Sequence, residues 1–154
     1  MNWTLIKVVI KARKNGLLRL TPATGPTWLD CPAGTCAKCC KFLGSPVITP
    51  DEAERIDSQW IVKDKDAIFV RSQDSVCCLL KESLCSIYQD RPKGCIEYPW
   101  YNIDGQLYYD SGCPGIKHDK DNRPNVNDIH PFEYFFPQTA KFIIRLIKKI
   151  CVKK

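Results

Sequence analysis

Eight of the ten cysteines fall into one spacing: Cys31-x4-Cys36-x2-Cys39-Cys40, then Cys78-x6-Cys85-x9-Cys95-x17-Cys113. Thiolates are soft donors that select zinc, cuprous copper or iron–sulfur clusters over magnesium and calcium. The C-x2-C step at Cys36–Cys39 is a zinc-knuckle spacing, in which a tight turn lets two sulfurs approach one ion. Eight thiols suffice for two four-thiolate sites, or for one site with spare thiols. The neighbouring pairs Cys39–Cys40 and Cys77–Cys78 bear on the choice between metal and disulfides. Adjacent cysteines bridge each other only with strain, whereas two thiolates pointing apart can serve different metal positions. A disulfide scaffold and buried, inert cysteines are the competing readings.

Catalysis by a cysteine nucleophile needs a base within hydrogen-bond reach, and the chain offers only His118 and His130. His118 follows Cys113 by five residues, so a Cys–His pair is conceivable, although histidines so placed are more often surface residues or spare ligands. No glycine-rich phosphate loop or other nucleotide fingerprint occurs.

The elements that must position these thiols can be read in part. Trp3 to Lys14 is expected to be a helix with Lys7, Lys11 and Lys14 on one stripe, opposite Leu5, Ile6, Val9 and Ile10; its β-branched residues make a strand the competing reading. "TPATGP" reads as a turn-rich linker. In "ITPDEAERIDSQW", Thr49 caps a helix, Pro50 suits its first position and Glu52 completes a capping box, with Ala53 and Ile56 facing inward. "DAIFVRS" reads as a short strand. "VCCLL-KES-LCSIY" reads as a strand and tight turn bringing Cys78 and Cys85 together. Asp104-Gly105 marks a hairpin across which Trp100, Tyr101, Tyr108 and Tyr109 pair. "DKDNRPNVND" is a surface loop. "TAKFIIRLIKKICVKK" is an amphipathic helix, with Phe142, Ile143, Leu146, Ile147 and Ile150 on one face and Lys141, Arg145, Lys148 and Lys149 on the other. The expected fold is therefore α+β: a small metal-stapled domain of short helices, hairpins and cysteine knuckles. Residues 27–118 form the cysteine-cluster domain, flanked by basic amphipathic segments at 1–20 and 131–154.

The order of motifs, "CPAGTCAKCC", "CCLLKESLCSIYQDRPKGCIEYPW" and "SGCPG", resembles the CxxxCxxCC-type cysteine-cluster family of zinc- or iron-chelating proteins, over about residues 31–115. The resemblance implies metal ligation by Cys31, Cys36, Cys39, Cys40, Cys78, Cys85, Cys95 and Cys113, and leaves Cys77 and Cys151 outside the pattern. It implies zinc, or alternatively iron or a 4Fe-4S cluster, in a structural, carrier or redox module. Distant, longer relatives include flagellin lysine methylases, which makes an iron–sulfur redox enzyme subunit the alternative function. The chain departs from the pattern in having four residues between Cys31 and Cys36, and in having Ile96 where the family usually has an arginine. Arg91 is a candidate donor to the negative centre that four thiolates create around zinc. Its competing role is a turn residue paired with Asp90 or Glu97.

Charge is segregated. The net +6 arises from 23 Lys/Arg against 17 Asp/Glu. Eleven of the cations lie in residues 1–20 and 138–154, where there is no acid, so twelve face all seventeen acids in between. Basic ends on an acidic body suit docking onto a protein partner or larger assembly. A membrane surface is the next candidate, and nucleic acid fits poorly because the body would repel phosphate. The N-terminus lacks the charged n-region, long apolar run and cleavage site of a secretory signal, so an intracellular, cytoplasmic location is expected, with a mitochondrial presequence as the alternative. Reduced compartments favour metal or catalytic cysteines over disulfides.

Overall fold

A computed structural model of the protein describes residues 3–65, 67–136 and 141–152. Helix α1, Trp3–Lys14, opens the chain and buries Leu5, Val9 and Ala12. Ile10 lies outward, so the buried stripe is narrower than the apolar sequence pattern. The following segment is not wholly a linker: β1, Leu20–Pro22, takes up its first two residues. After β2, Trp28–Leu29, the first cysteines occupy a turn-rich loop that enters α2, Lys38–Phe42. β3, Val47–Ile48, leads to α3, Pro50–Glu54, whose capping box forms as expected: the Thr49 hydroxyl accepts from Glu52 N–H, and Glu52 accepts from Thr49 N–H.

Strands β4, Ile61–Asp64, and β5, Ala67–Val70, pair with β3 in the order β3-β5-β4. Two small hairpins follow, first β6, Ser72–Gln73, with β7, Val76–Cys77, then β8, Leu80–Lys81, with β9, Leu84–Cys85. α4, Lys93–Glu97, precedes the hairpin β10, Trp100–Ile103, and β11, Gln106–Asp110. This hairpin has the expected register, Trp100 opposite Tyr109 and Tyr101 opposite Tyr108. Asp104 and Gly105 both take positive φ at its turn, the conformation that aligns a two-residue turn with strand twist. β1 adds to the other edge of β11, and β12, Ile116–Lys117, pairs with β2. All these pairings are antiparallel, so the fold is α+β, assembled among the described residues from five short α-helices and several small sheets.

Helix α5, Lys141–Cys151, closes the described chain. Thr139, Ala140, Lys153 and Lys154 of the expected helix lie outside the described residues. Its buried face is Ile143, Ile144, Ile147 and Cys151, rotated from the expected one. Phe142 is 70% exposed, and Lys148 is the cation that turns inward, pairing with Asp104 at 2.9 Å and with Glu133. The two carboxylates, one from the β10–β11 turn, set this rotation. Among the described residues no helix is long and apolar enough to cross a membrane.

Three apolar clusters hold the fold. α1, α5, Leu20, Phe69 and Ile103 form the first. Ile48, Ile56, Val70, Cys77 and Leu79 form the second, and Trp100, Tyr109 and Ile129 the third. Two buried carboxylates tie them together. Glu52, 3% exposed, accepts from Lys93 N–H at 2.7 Å as well as from Thr49, joining α3 to the start of α4. Asp110 is fully buried and accepts from the Leu18, Arg19 and Gly112 N–H groups and from the Tyr98 hydroxyl.

Candidate metal centre

A cavity of about 270 Å³ opens where the three clusters meet, walled by residues such as Leu5, Leu79 and Trp100. Nine cysteines line it: Cys31, Cys36, Cys39, Cys40, Cys77, Cys85, Cys95, Cys113 and Cys151. Seven of the eight expected ligands are thus brought to one place. Cys78 is not part of the lining, and Cys77 stands there instead. None of the ten cysteines is disulfide-bonded.

Local backbone explains each placement. Cys31 and Cys36 sit on consecutive turns made by Ala33 and Cys36 N–H groups bonding back to Cys31 and Pro32. Lys38 reaches Gly112 O at 3.0 Å, which sets the start of α2 beside Cys113. The Cys113 loop is fixed by its own N–H donating to Asp110 O. Gly112 is required here, because a Cβ would lie 1.8 Å from Gly16 O. The β2–β12 ladder and the Asp30 N–H bond to Gly115 O carry Cys31 to the same loop.

On the opposite wall, the end of α2 packs against the β6–β7 hairpin. Gly44 has φ +70° there, and a Cβ would meet Ser75 O at 2.2 Å. That close approach brings Cys40 into the second cluster with Cys77 and Cys85. The register of β8–β9 places Leu80, not a cysteine, opposite Cys85. Cys78 lies between the two hairpins, its N–H bonded to Arg71 O. The tight turn expected within 76–88 forms between β8 and β9, across Glu82 and Ser83, but it does not bring Cys78 to Cys85; the cysteine in one cluster with Cys85 is Cys77. No periodicity distinguishes the two adjacent cysteines; burial alone does.

Burial dominates the thiol electrostatics. It pushes the Cys31, Cys77, Cys95 and Cys113 thiols above their ordinary value, and neighbouring sulfurs add to the rise. Burial also lifts Cys151, to about 11, against the pull of Arg13. Cys39 and Cys40 share a hydrogen bond that holds Cys39 low and Cys40 high. Arg91 opposes the rise at Cys31 and Cys95 and favours the Cys39 thiolate. Its guanidinium lies 3.7 Å from the Tyr88 ring centroid, and its Nε donates to Tyr88 O. Arg91 thus faces the thiols from the cavity wall. Ile96 is 54% exposed and is not part of the lining, so the departure from arginine there leaves the cavity wall intact.

The histidines do not form a nucleophile–base pair with the sulfur. His118 Nδ1 lies 3.3 Å from Pro26 O, and its ring packs on Tyr109. His130 pairs with Glu97, and its ring stacks near Tyr134 at the rim.

The donor set fits a thiophilic ion: many thiols, a single guanidinium, and Glu97 with His130 at the margin. Among the described residues no three Cys, His, Asp or Glu side chains yet converge as a finished coordination sphere. The thiols line the walls of one space, and ligation has to draw those walls together.

Thiols brought to one cavity by turns, short helices and short hairpins define a cysteine-cluster, metal-chelating domain. The comparison with protein families agrees: residues 30–114 match the CxxCxxCC model, described as "Putative zinc- or iron-chelating domain", and the chain belongs to that family. Comparisons with curated proteins and with solved structures gave no match.

Proposed function

We propose that the protein is a zinc-stapled scaffold module, in which the ion replaces an extended core in the cysteine-cluster region. The observation that carries this is the gathering of nine thiols around one cavity, between hairpins whose strands are only two residues long. Two-residue strands bury little by themselves, whereas a closed thiolate site contributes folding free energy outright. When bound, the ion supplies charge compensation for thiolates and a covalent-like cross-link between hairpins. Cys31, Cys36, Cys39, Cys40, Cys85, Cys95 and Cys113 are the candidates from which four-thiolate sites would be drawn, and Arg91 would offset the residual negative charge. Elemental analysis of protein purified without oxygen is expected to give about two zinc per chain and no visible absorption. Iron with labile sulfide and a broad visible band would replace this reading with a redox cluster.

The module docks, in this proposal, on an acidic protein surface through its two terminal helices. Exposed Trp3 and Ile10 on α1, and Phe142 and Ile150 on α5, lie among lysines and arginines with no acid in either helix. A photo-crosslinker at Phe142 is expected to form one protein adduct in cells, lost in the Arg145→Glu/Lys149→Glu variant. No adduct, together with sedimentation on phosphatidylserine vesicles, would assign the surface to lipid instead.

A further inference from the structure

The cavity does not hold its thiols as one undivided set. The loop carrying Cys31 and Cys36 meets the Cys113 loop through the β2–β12 ladder. Lys38 ties the start of α2, and with it Cys39, to Gly112 on that same side. On the far side Cys40, Cys77 and Cys85 pack in one apolar cluster, and Cys95 in the middle of α4 lines the same cavity. Residues 39 and 40 are consecutive in a helix, so their side chains diverge by about 100° around its axis. In the metal-free chain their two sulfurs share a hydrogen bond, while Lys38 sets the first beside the Gly112–Cys113 loop and Cys40 packs in the cluster that contains Cys77.

We propose that the chain holds two ions in two four-thiolate sites that share the Cys39–Cys40 step, Cys31, Cys36, Cys39 and Cys113 binding one and Cys40, Cys77, Cys85 and Cys95 the other. Cys77, which lies outside the family pattern, is the ligand from the Cys77–Cys78 pair. Its side chain is 7% exposed and turned into the cluster containing Cys40 and Cys85, whereas Cys78 is carried between hairpins with no place on the cavity wall. The adjacent cysteines at 39 and 40 are then a hinge between sites. This deepens the metal-binding reading and rests on it.

The test uses the full chain, loaded anaerobically with zinc and, in parallel, with cobalt(II), whose thiolate charge-transfer band reports the number of sulfur ligands. Wild type is expected to bind two ions. C77S and C85S each drop to one, C113S drops to one, C85S/C113S binds none, and C78S keeps two. Because C77S alters a buried thiol on which folding itself depends, alkylation mapping of loaded wild type provides a second measurement. Cys78 is expected to react while Cys77 is protected, and chelation exposes Cys77. A C78S protein that loses an ion, or Cys78 protected by metal while Cys77 reacts, overturns the ligand assignment. Two ions retained in C113S, or only one bound by wild type, overturns the two-site partition. Either of those results leaves the metal-binding function standing, whereas wild type that binds neither zinc nor cobalt overturns the function itself.

Discussion

Replacing Asp110 with alanine is expected to lower the unfolding free energy by about 3 kcal/mol or more, more than removal of any single surface ion pair. The carboxylate is fully buried and accepts from Leu18 N–H at 2.7 Å, Gly112 N–H at 2.9 Å, Arg19 N–H at 3.0 Å and the Tyr98 hydroxyl at 3.2 Å. Alanine removes the acceptor and leaves four part-buried donors unpaired, each costing about 1–3 kcal/mol if water cannot reach it. With a urea m-value of about 2 kcal/mol/M, the midpoint moves down by about 1.5 M. Asp110→Asn keeps one carbonyl acceptor but turns an amide N–H2 toward a donor, so its loss falls between wild type and alanine. Because the Asp110 backbone carbonyl also fixes Cys113 N–H, and its side chain fixes Gly112, the substitution loosens the Cys113 loop and weakens metal retention as well. A midpoint shift below about 0.5 M would show that water satisfies the four donors.

Asp110 illustrates what the sequence could not reveal. It follows two tyrosines at the end of a strand, a place where an aspartate ordinarily faces solvent, and its partners at residues 18 and 19 are some ninety positions away. Glu52 is a similar case. Its role in the capping box is legible because the box is local, but its third bond, to Lys93 N–H, depends on how α4 packs on α3. The same division runs through the thiols. Knuckle spacing and the surrounding motif identify a metal-chelating segment, and the turn at Asp104-Gly105 fixes the register of the aromatic hairpin, since each depends on neighbouring residues. Which of Cys77 and Cys78 turns inward depends on Gly44 admitting the β6–β7 turn, and on the β8–β9 register placing Leu80 opposite Cys85. On α5 the apolar pattern announces a helix, yet it cannot say that Lys148 will be drawn in by Asp104 and Glu133 and so rotate Phe142 outward.

Removal of metal is expected to produce the largest change of all, at least about 4 kcal/mol per ion when free zinc stood a thousandfold above its dissociation constant. The loss will be local first. Chelation unties β6–β7, β8–β9 and the Cys31–Cys36 loop, so the amides of Cys78 and Ser86, bonded to Arg71 O and Leu79 O, lose hydrogen-exchange protection. The β10–β11 ladder, packed against α1 and α5 through Ile103 and its neighbours, keeps its protection longer. The two forms also respond to pH in opposite directions. In the metal-free protein, burial raises the Cys31, Cys77, Cys95 and Cys113 thiols, and Cys151 to about 11, above the value of 9.0 they share when unfolded. Folding then favours bound protons, so stability is fully present below pH 9 and falls as pH rises through the folded values. In the loaded protein the ion displaces the protons of the thiols that bind it, so affinity increases with pH and metal is lost as pH falls. Thermal unfolding across pH 5–10, with and without chelator, should give two curves that diverge most strongly on the alkaline side. Parallel curves would mean that the buried thiols hold their protons whether or not metal is supplied, and that the sulfur at the centre of this fold serves packing alone.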